Sequence, residues 1–441
     1  MQQALDRFFK VSARGSSMST EVVGGFTTFL TMVYIVAVNP AMMSQAGIPF
    51  NAALTATCFG AAAMTLAMGL FANRPIALAS GMGINAIVAY TLCGSMGIDW
   101  RIAMSVVFLE GILIFLLVVC GLREAVMDAV PVALRRAIGI GIGLFVAFVG
   151  LKGGGVIQDN ASTLVSMGDL TAPSAIVSVV AIVLSICFTV RGTRGGLLIA
   201  IVVATIVGIP LGVTHLPESF DFAPDFSAFA APLQQTPDGG MALLQVVTQP
   251  LLIMFVFSLL MSNFFDAMGI MMAVGQQAGF VTKDGDVEDA HRILLVDGTA
   301  AAAGGFIGAS SIGSYAESTS GAAAGARTGL SNMVVGLAFI ACAFLAPVIG
   351  MVSASATCGA LVVVGYLMIR EIGSIDWHSV EAALPAFVTI IGIPFTYSIA
   401  NGIGFGFIVY CVVKVMQGHA RDVRPLMWVV SAAFLATFVL L

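Results

Sequence analysis

The sequence predicts an all-α polytopic membrane protein of about 14 transmembrane helices. Of its 441 residues, 59% are hydrophobic and 9% are charged, and the mean hydropathy is +1.04. An average soluble domain carries about 25% charged residues, so no soluble fold hides this much apolar surface. The apolar residues also form runs of about 20, the length that crosses about 30 Å of hydrocarbon. The chain therefore has no room for a large soluble domain.

The apolar runs form two sets of seven. Those of the first half lie near 21–45, 51–72, 75–93, 100–121, 131–151, 174–190 and 195–212. Those of the second half lie near 243–265, 292–309, 316–330, 331–350, 354–370, 381–399 and 400–416. Seven spans per half insert the two halves in opposite orientations, which is the inverted repeat of secondary transporters. The stretch 381–416 could instead be one long broken helix, and the apolar stretch 425–441 could be another span or an in-plane helix.

The distribution of charge predicts the orientation in the membrane. The loop 213–242 contains acids such as Asp225 and neither Lys nor Arg, so we expect it outside. The N-terminal stretch carries Arg7, Lys10 and Arg14, so we expect it in the cytoplasm. That stretch is polar and does not resemble a cleavable signal peptide. We expect a multi-pass protein of a plasma membrane or bacterial inner membrane.

The third and tenth runs have the composition of broken helices. ALASGMGINAIVAY at 77–90 and GASSIGSYAESTSGAAAGA at 308–326 are short, rich in small residues, and hold polar side chains. Discontinuous helices of this kind form the ligand sites of many transporters. If Gly81 is aligned with Gly313, then Asn85 falls on Glu317.

Two acids inside apolar runs, Asp266 and Glu317, are the leading functional candidates. An acid at the centre of a membrane helix costs about 2.5 to 3.5 kcal/mol on insertion scales, so such residues usually serve function. Neither has a Lys or Arg neighbour in sequence, and burial without a cation favours the protonated form. Asn85 can donate and accept hydrogen bonds to a ligand or bridge two helices, and Tyr315 can stack on a flat ring or fill an interface. Glu110, Asp297 and Arg327 are assigned to networks at helix ends.

Other functional classes lack their motifs. GLKGGG at 150–155 lacks the GxxxxGK[ST] pattern of a phosphate-binding loop, and HExxH and GxSxG are absent. The seven cysteines include no CxxC pair, so we expect neither a metal site nor a disulfide framework. The net charge of −5 gives no support for nucleic-acid binding. We expect no cofactor and no enzymatic activity.

Four segments resemble the nucleobase:cation symporter family, within the nucleobase/ascorbate transporter superfamily. The likeness is to its AzgA-like branch of adenine, guanine and hypoxanthine permeases, and covers nearly the whole chain. The segments are TEVVGGFTTFLTMVYIVAVNP at 20–40, ANRPIALASGMGINA at 72–86, NFFDAMG at 263–269 and IGASSIGSYAESTSGAAAGARTGL at 307–330.

The resemblance implies a homodimer in which a core domain moves against a gate domain, with short extended stretches in helices 3 and 10. The implied division is a cytoplasmic segment 1–20, a first core segment 21–125, a first gate segment 126–212, an external loop 213–242, a second core segment 243–350 and a second gate segment 351–441.

The resemblance also implies the site residues. Asp266 and Glu317 match the acidic pair of helices 8 and 10, which binds substrate and couples the proton. The remaining substrate-binding positions are Asn85 in helix 3 and Tyr315, Ala316 and Ser318 beside the second acid. The family's uracil carriers place a histidine where Ile270 stands, and many relatives have glutamate in place of Asp266, so pyrimidine transport is less expected.

The expected function is import of purine nucleobases by proton symport through an elevator-like alternating-access mechanism. A carboxylate has two acceptor oxygens, which suit the N–H donors along one edge of a purine. The alternative is an anion or other small-molecule carrier or channel of the same fold, whose site should be positively charged. An intramembrane enzyme is a third class, and recovery of chemically altered substrate would identify it.

Overall fold

A computed structural model describes residues 2–121, 130–193, 195–216, 223–237, 239–282 and 287–440. Each apolar run predicted in the first half contains a helix. In chain order the elements are α1 (Gln2–Phe9), α2 (Met18–Met32), α3 (Ile35–Gln45), α4 (Phe50–Ala67), β1 (Leu78–Ser80), α5 (Met82–Ala86), α6 (Trp100–Val119), α7 (Val132–Gly153), β2 (Ile157–Asn160), β3 (Leu164–Met167), α8 (Pro173–Val190) and α9 (Gly196–Gly208). Two π-helical segments, Met68–Ala72 and Ile87–Ser95, continue α4 and α5.

The second half is also helical, with two boundaries that differ from prediction. Its elements are α10 (Ala242–Thr248), α11 (Pro250–Ala278), α12 (Ala290–Ile307), β4 (Ile312–Ser314), α13 (Ser318–Ala323), α14 (Leu330–Ala343), α15 (Ala346–Ile349), α16 (Ala354–Ile369), α17 (Val380–Phe395), α18 (Ile399–Met416) and α19 (Pro425–Leu440). Helix α11 continues 13 residues beyond the predicted end at 265 and ends where Gly279 adopts φ +75°. Helix α13 is much shorter than the run 316–330, because Gly325 turns the chain at φ +103°.

The stretch 381–416 forms two antiparallel helices. A methyl group added at Gly402 of α18 would overlap Ile393 of α17, and one added at Gly406 would overlap Thr389. Contacts closer to the C-terminus of α18 are thus made with residues closer to the N-terminus of α17, which is the pattern of antiparallel helices. The alternative of one long broken helix is therefore wrong, and Tyr397, at φ +52°, lies in the tight turn between the two.

Strands β1 and β4 join the two halves at the centre of the molecule. They pair antiparallel with the register Leu78↔Ser314, Ala79↔Gly313 and Ser80↔Ile312. The local two-fold axis of this pair relates Ala79 to Gly313. It therefore relates Gly83 to Glu317, and the expected match of Asn85 with Glu317 is displaced by two residues. The reason is that Gly81 follows β1, whereas Gly313 is the central residue of β4.

The helices pack in two groups. One group contains α2 to α6 and α11 to α14, and the other contains α7 to α9 and α16 to α18. Glycines permit close approach within each group: an added methyl at Gly111 of α6 would overlap the backbone of Ala302 on α12, and one at Gly143 of α7 would overlap Gly365 of α16. Strands β1 and β4 lie in the first group. Helix α7 of the second group faces α5 across the boundary between the groups.

Helix length and composition are those of a multi-pass membrane protein. Within the described residues, seven helical segments are long and apolar enough to cross a membrane, and six shorter apolar helices of 10–17 residues accompany them. The predicted boundary at 125/126, and residues 217–222 and 238 of the predicted loop 213–242, lie outside the described residues. The described part of that loop docks on the first group, where the Asp225 amide donates to Thr55 Oγ1 at 2.9 Å and Arg101 Nε donates to Gln234 Oε1 at 3.1 Å.

The N-terminal segment packs against the first group rather than extending away from it. Phe9 and Val11 are buried against Leu330. Asn73, which follows the π-helical end of α4 at φ +51°, donates from Nδ2 to the Phe9 carbonyl at 2.9 Å and accepts a hydrogen bond from Arg14 through its own carbonyl. The segment therefore holds the turn between α4 and β1 in place.

Candidate functional site

The site is built around the strand pair, where two helices of opposite direction are interrupted. Two further hydrogen bonds extend the pair beyond its ladder: the Tyr315 amide donates to the Ala77 carbonyl at 2.9 Å, and the Gly81 amide donates to the Ser311 carbonyl at 2.8 Å. Side chains satisfy other backbone groups, since the Leu78 amide donates to Thr65 Oγ1 at 2.9 Å. Interrupted backbone is stable at membrane depth only where protein or a polar cavity satisfies it.

Glu317 lies at the N-terminal end of α13 and is half-buried. Its Oε1 atom accepts a hydrogen bond from the Tyr34 hydroxyl at 2.8 Å. Tyr34 is fully buried at the junction of α2 and α3. Nothing in the sequence singles out Tyr34, because the interruption of the first span, which brings this residue to the centre, has no strong sequence signal.

Asp266 is exposed, which differs from the burial that its apolar surroundings predicted. Gly269, Ala273 and Gln276, which follow it on the same face of α11, are exposed as well. A lipid-facing stripe would carry large apolar side chains, whereas this one is small and polar. Asp266 also interacts electrostatically with Glu317, so the stripe faces the interior and lines an open vestibule.

The vestibule opens on the side of the N-terminal segment. Ala316, just before α13, and Ala323, the last residue of α13, continue the exposed surface. Just beyond that end, the Gly325 carbonyl accepts a hydrogen bond from Ser16 Oγ at 3.2 Å. Arg74, beside the same segment, stacks over the ring of Phe280 at the end of α11, 4.5 Å from its centroid. The exposed faces of α11 and α13 thus lead from the two acids to one face of the molecule.

The other predicted residues beside Glu317 have different surroundings. Ala316 is exposed beside Glu317, so its backbone is accessible from the vestibule. Tyr315 is buried, and its hydroxyl donates to the Ser80 carbonyl at 2.9 Å, which ties the chain after β4 to β1. Ser318 is fully buried, and its Oγ accepts from the Ala77 amide at 2.9 Å. The Tyr315 and Ser318 side chains therefore support the interruption rather than line the vestibule.

Asn85 lies on α5 and is fully buried. Among the described residues, neither its Oδ1 nor its Nδ2 atom has a hydrogen-bond partner. Buried amides are nearly always hydrogen-bonded, because an unpaired buried polar group is costly. An amide with both atoms unpaired, on the helix that follows β1, is thus available to a ligand or water molecule.

Glu110 and Asp297 lie within helices and bond to residues on or near β4. The prediction that they belong to networks at helix ends is wrong for these two acids. Asp297, on α12, accepts from both the amide and the hydroxyl of Ser314 at 2.7 Å. Glu110, on α6, accepts from Asn263 Nδ2 at 2.7 Å, and Asn263 also donates to Ser311 Oγ at 3.1 Å. Both acids are in helix interiors and support the strand β4.

Arg327 lies at a helix end, as predicted. Its guanidinium donates to the carbonyl of Ala322, in α13, and to that of Ala326, just after the helix, and its amide donates to Glu21 Oε1 at 2.8 Å. Within the described residues, no group of three His, Cys, Asp or Glu side chains is arranged to hold a metal ion.

Comparison with known proteins identifies the family. The model of the permease family Xan_ur_permease matches residues 19–437. The chain belongs to this nucleobase/ascorbate transporter family of permeases. It is thus a membrane transport protein and not an enzyme.

Several relatives match almost end to end. The chain is 38% identical over 438 residues to the adenine permease AdeP of Escherichia coli, covering 99% of this chain and 96% of the relative. It is 36% identical over 448 residues to the guanine/hypoxanthine permease PbuG of Bacillus subtilis, with 98% and 99% covered. The putative permease MJ0326 of Methanocaldococcus jannaschii is 38% identical, with 99% and 98% covered.

Solved structures show the fold. The transmembrane domain of the cyanobacterial bicarbonate transporter BicA superposes with a TM-score of 0.64 at 17% identity, covering 87% of this chain and 97% of that domain. The structure of SLC26A9 superposes with the same TM-score at 14% identity, covering 91% of this chain and 66% of that one. The permease therefore has the 7+7 inverted-repeat fold that the sequence predicted.

Proposed function

We propose that this permease carries purine nucleobases across the membrane by proton symport. The observation that carries the proposal is the position of two acids, Asp266 and Glu317, at the inner end of one vestibule beside the interrupted helices. The names of the relatives, which include adenine and guanine/hypoxanthine permeases, support a purine substrate.

Purine recognition follows from the hydrogen-bonding groups at the strand pair. Tyr34 engages Oε1 of Glu317, and Oε2 stays outside that bond to accept an N–H of the base. The accessible backbone at Ala316 adds donors and acceptors next to it. Asp266 accepts a second N–H, and Asn85 reads a ring nitrogen or carbonyl.

Proton coupling follows from the pairing of the two acids. Like charges that interact in a confined site disfavour double ionisation, so one proton bound at the pair relieves the repulsion. A proton that moves down the membrane potential supplies about 2.3 kcal/mol per 100 mV. That energy supports accumulation of a neutral base.

The transport cycle follows from the two packing groups, which we assign to a core and a gate. The core carries both strands and both acids, and the gate carries α7 to α9 and α16 to α18. We infer that the core moves against the gate as an elevator, within a homodimer whose N-terminal segment is cytoplasmic. In that orientation the vestibule opens inward.

An aromatic latch is situated on the side of the boundary opposite to the vestibule. Tyr90 of the core packs edge-to-face on Phe145 and Tyr397 of the gate, with ring centroids 6.3 Å apart in both pairs. Phe145 and Phe148 also pack on Tyr397, at 5.0 Å and 6.0 Å. This latch is a closed outer barrier of the inward-open state.

The deciding experiment is uptake of radiolabelled adenine, guanine, hypoxanthine and uracil into proteoliposomes, with and without a proton gradient. We expect concentrative uptake of at least one purine that collapses when the gradient is removed. Glu317→Gln should abolish purine binding, and Asp266→Asn should keep exchange but lose accumulation. Uptake that is indifferent to the gradient would rule out proton symport, and full activity of Glu317→Gln would rule out the site.

The alternative substrate class is suggested by the fold, since one solved neighbour is a bicarbonate transporter. A site for anions needs positive charge, whereas the vestibule here ends at two acids. Bicarbonate uptake by the same proteoliposomes would favour the alternative.

A further inference from the structure

The buried acid Glu110 stands apart from the vestibule and has an unusual environment. It is fully buried in the interior of α6. Oε1 accepts from Asn263 Nδ2 at 2.7 Å, whereas Oε2 has no hydrogen-bond partner among the described residues. The Ser311 hydroxyl lies beside the same carboxyl.

The charged side chain that interacts electrostatically with Glu110 is another acid, Asp297 of α12. The ion pairs formed by described residues, at Arg74, Arg101, Lys152 and Lys414, do not include Glu110. Protonation of a buried carboxyl that has no cation beside it avoids the desolvation cost of a buried charge.

Glu110 is connected to both acids of the vestibule through Asn263. Asn263, the partner of Oε1, is one helical turn before Asp266 on α11. Ser311, the second partner of Asn263, directly precedes β4, which leads to Glu317. Glu110 is fixed in turn, because neighbouring Gly111 packs directly on the backbone of Ala302 in α12.

We propose that Glu110 is a permanently protonated positioning residue, whose neutral carboxyl holds Asn263 and thereby sets the relative position of the two acids of the vestibule. This inference rests on the proposed function for its transport consequences. The proton on Oε2 stays in place through the cycle and is distinct from the coupled proton. Glu110 is not itself a ligand of the purine.

Infrared spectroscopy of the purified permease tests the protonation directly and needs no transport. The difference spectrum between wild type and Glu110→Gln at pH 7 should contain the C=O stretch of a protonated carboxyl. The matched control is Glu21→Gln, because Glu21 is equally buried but its two oxygens accept backbone amides, from Arg327 at 2.8 Å and Thr328 at 3.3 Å. The control spectrum should lack that band, and its absence from the Glu110 spectrum would overturn the proposal.

Transport kinetics test the positioning role. Glu110→Gln, which keeps the shape and an acceptor oxygen for Asn263, should retain the KM and the pH profile of purine uptake. Glu110→Ala should raise KM about tenfold, because Asn263 loses its anchor and the acids shift. Loss of accumulation in Glu110→Gln with exchange preserved would mean that this proton is the coupled one and would overturn the proposal. If wild type carried no purine, the proposed function would fail while the infrared result still decided the protonation.

Discussion

The hydrogen bond from Tyr34 to Glu317 determines how the second acid is presented to a ligand. Because Oε1 is engaged at 2.8 Å, the carboxyl cannot rotate freely. A pre-oriented acceptor loses less entropy when it binds a ligand than a freely rotating one. Tyr34, which orients the acid, thus contributes to ligand affinity although it lies behind Glu317.

Tyr34→Phe removes only the hydroxyl and should raise the purine KM about tenfold, since a hydrogen bond to a charged group is worth about 1.5 to 3 kcal/mol. Uptake kinetics in proteoliposomes provide the measurement. Tyr366→Phe is the matched control, because Tyr366 is 57% exposed on α16 of the other helix group. An unchanged KM in Tyr34→Phe would show that the bond does not orient Glu317.

Asn85 and Asn39 are both fully buried amides, but within the described part of the chain only Asn39 has a hydrogen-bond partner. Asn39 Nδ2 donates to Thr57 Oγ1 at 2.8 Å and to the Ala309 carbonyl at 3.1 Å. Asn39→Ala should therefore lower stability by about 1 to 3 kcal/mol. Asn85→Ala should leave the thermal unfolding temperature unchanged or raised and should weaken purine binding about tenfold, if the amide bonds the ligand. A destabilised Asn85→Ala with normal binding would contradict this assignment.

Sequence reasoning found the acids but not the residues that hold them. Asp266 and Glu317 stand out because charge within an apolar run is costly. Tyr34, Asn263 and Ser311 do not, because hydroxyl and amide groups are common in membrane helices and their role depends on contacts between distant segments. The sequence also could not show that Asp266 is exposed, since a vestibule arises from the packing of several helices.

At the scale of elements, the interrupted helices were predictable and their register was not. Runs of Gly, Ala and Ser mark both interruptions, and each contains a short strand. The pairing of Ala79 with Gly313 depends on how two distant segments meet, and aligning glycines missed it by two residues. The predicted span at 243–265 was too short because it stopped before the charged residue Asp266, whereas α11 continues to Ala278.

The aromatic latch should bias the permease toward the observed state. Tyr397→Gly removes its ring contact with Tyr90 across the boundary, worth about 0.5 to 1.5 kcal/mol, while glycine accepts the positive φ of the turn without strain. We expect about a two- to tenfold fall in the ratio of inward-open to outward-open molecules. The measurement is labelling of a single cysteine at Ala273, on the vestibule face, by a membrane-impermeant thiol reagent, after replacement of the seven native cysteines.

The control for the latch is Phe395→Ala, since Phe395 lies two residues from Tyr397 but is 81% exposed. This variant should label like the parent. Slower labelling in Tyr397→Gly alone would support the latch. Equal labelling in both variants would mean that the ring cluster does not affect the equilibrium between the states.

For the whole molecule, the seven-plus-seven arrangement followed from counting apolar runs, because hydropathy reports the number of crossings directly. The division into two packing groups is not visible in hydropathy. It depends on which helix surfaces carry glycines facing a partner, as Gly111 faces Ala302. The sequence likewise left the position of α19 open, since a short apolar helix can cross the membrane or lie within its plane.

The packing of α19 resolves this question in favour of a further crossing. An added methyl at Gly404 of α18 would overlap Phe434, whereas farther along α18 Cys411 Sγ lies 3.2 Å from Ser431 Oγ. Residues closer to the C-terminus of α18 thus contact residues closer to the N-terminus of α19, so the two helices are antiparallel. A helix lying in the membrane plane would instead contact α18 at a single depth in the membrane. We therefore expect an epitope inserted after Gln417 and one appended after Leu441 to be accessible from opposite sides of oriented membrane vesicles. Accessibility of both epitopes from the same side would contradict the crossing and would assign α19 to the membrane surface.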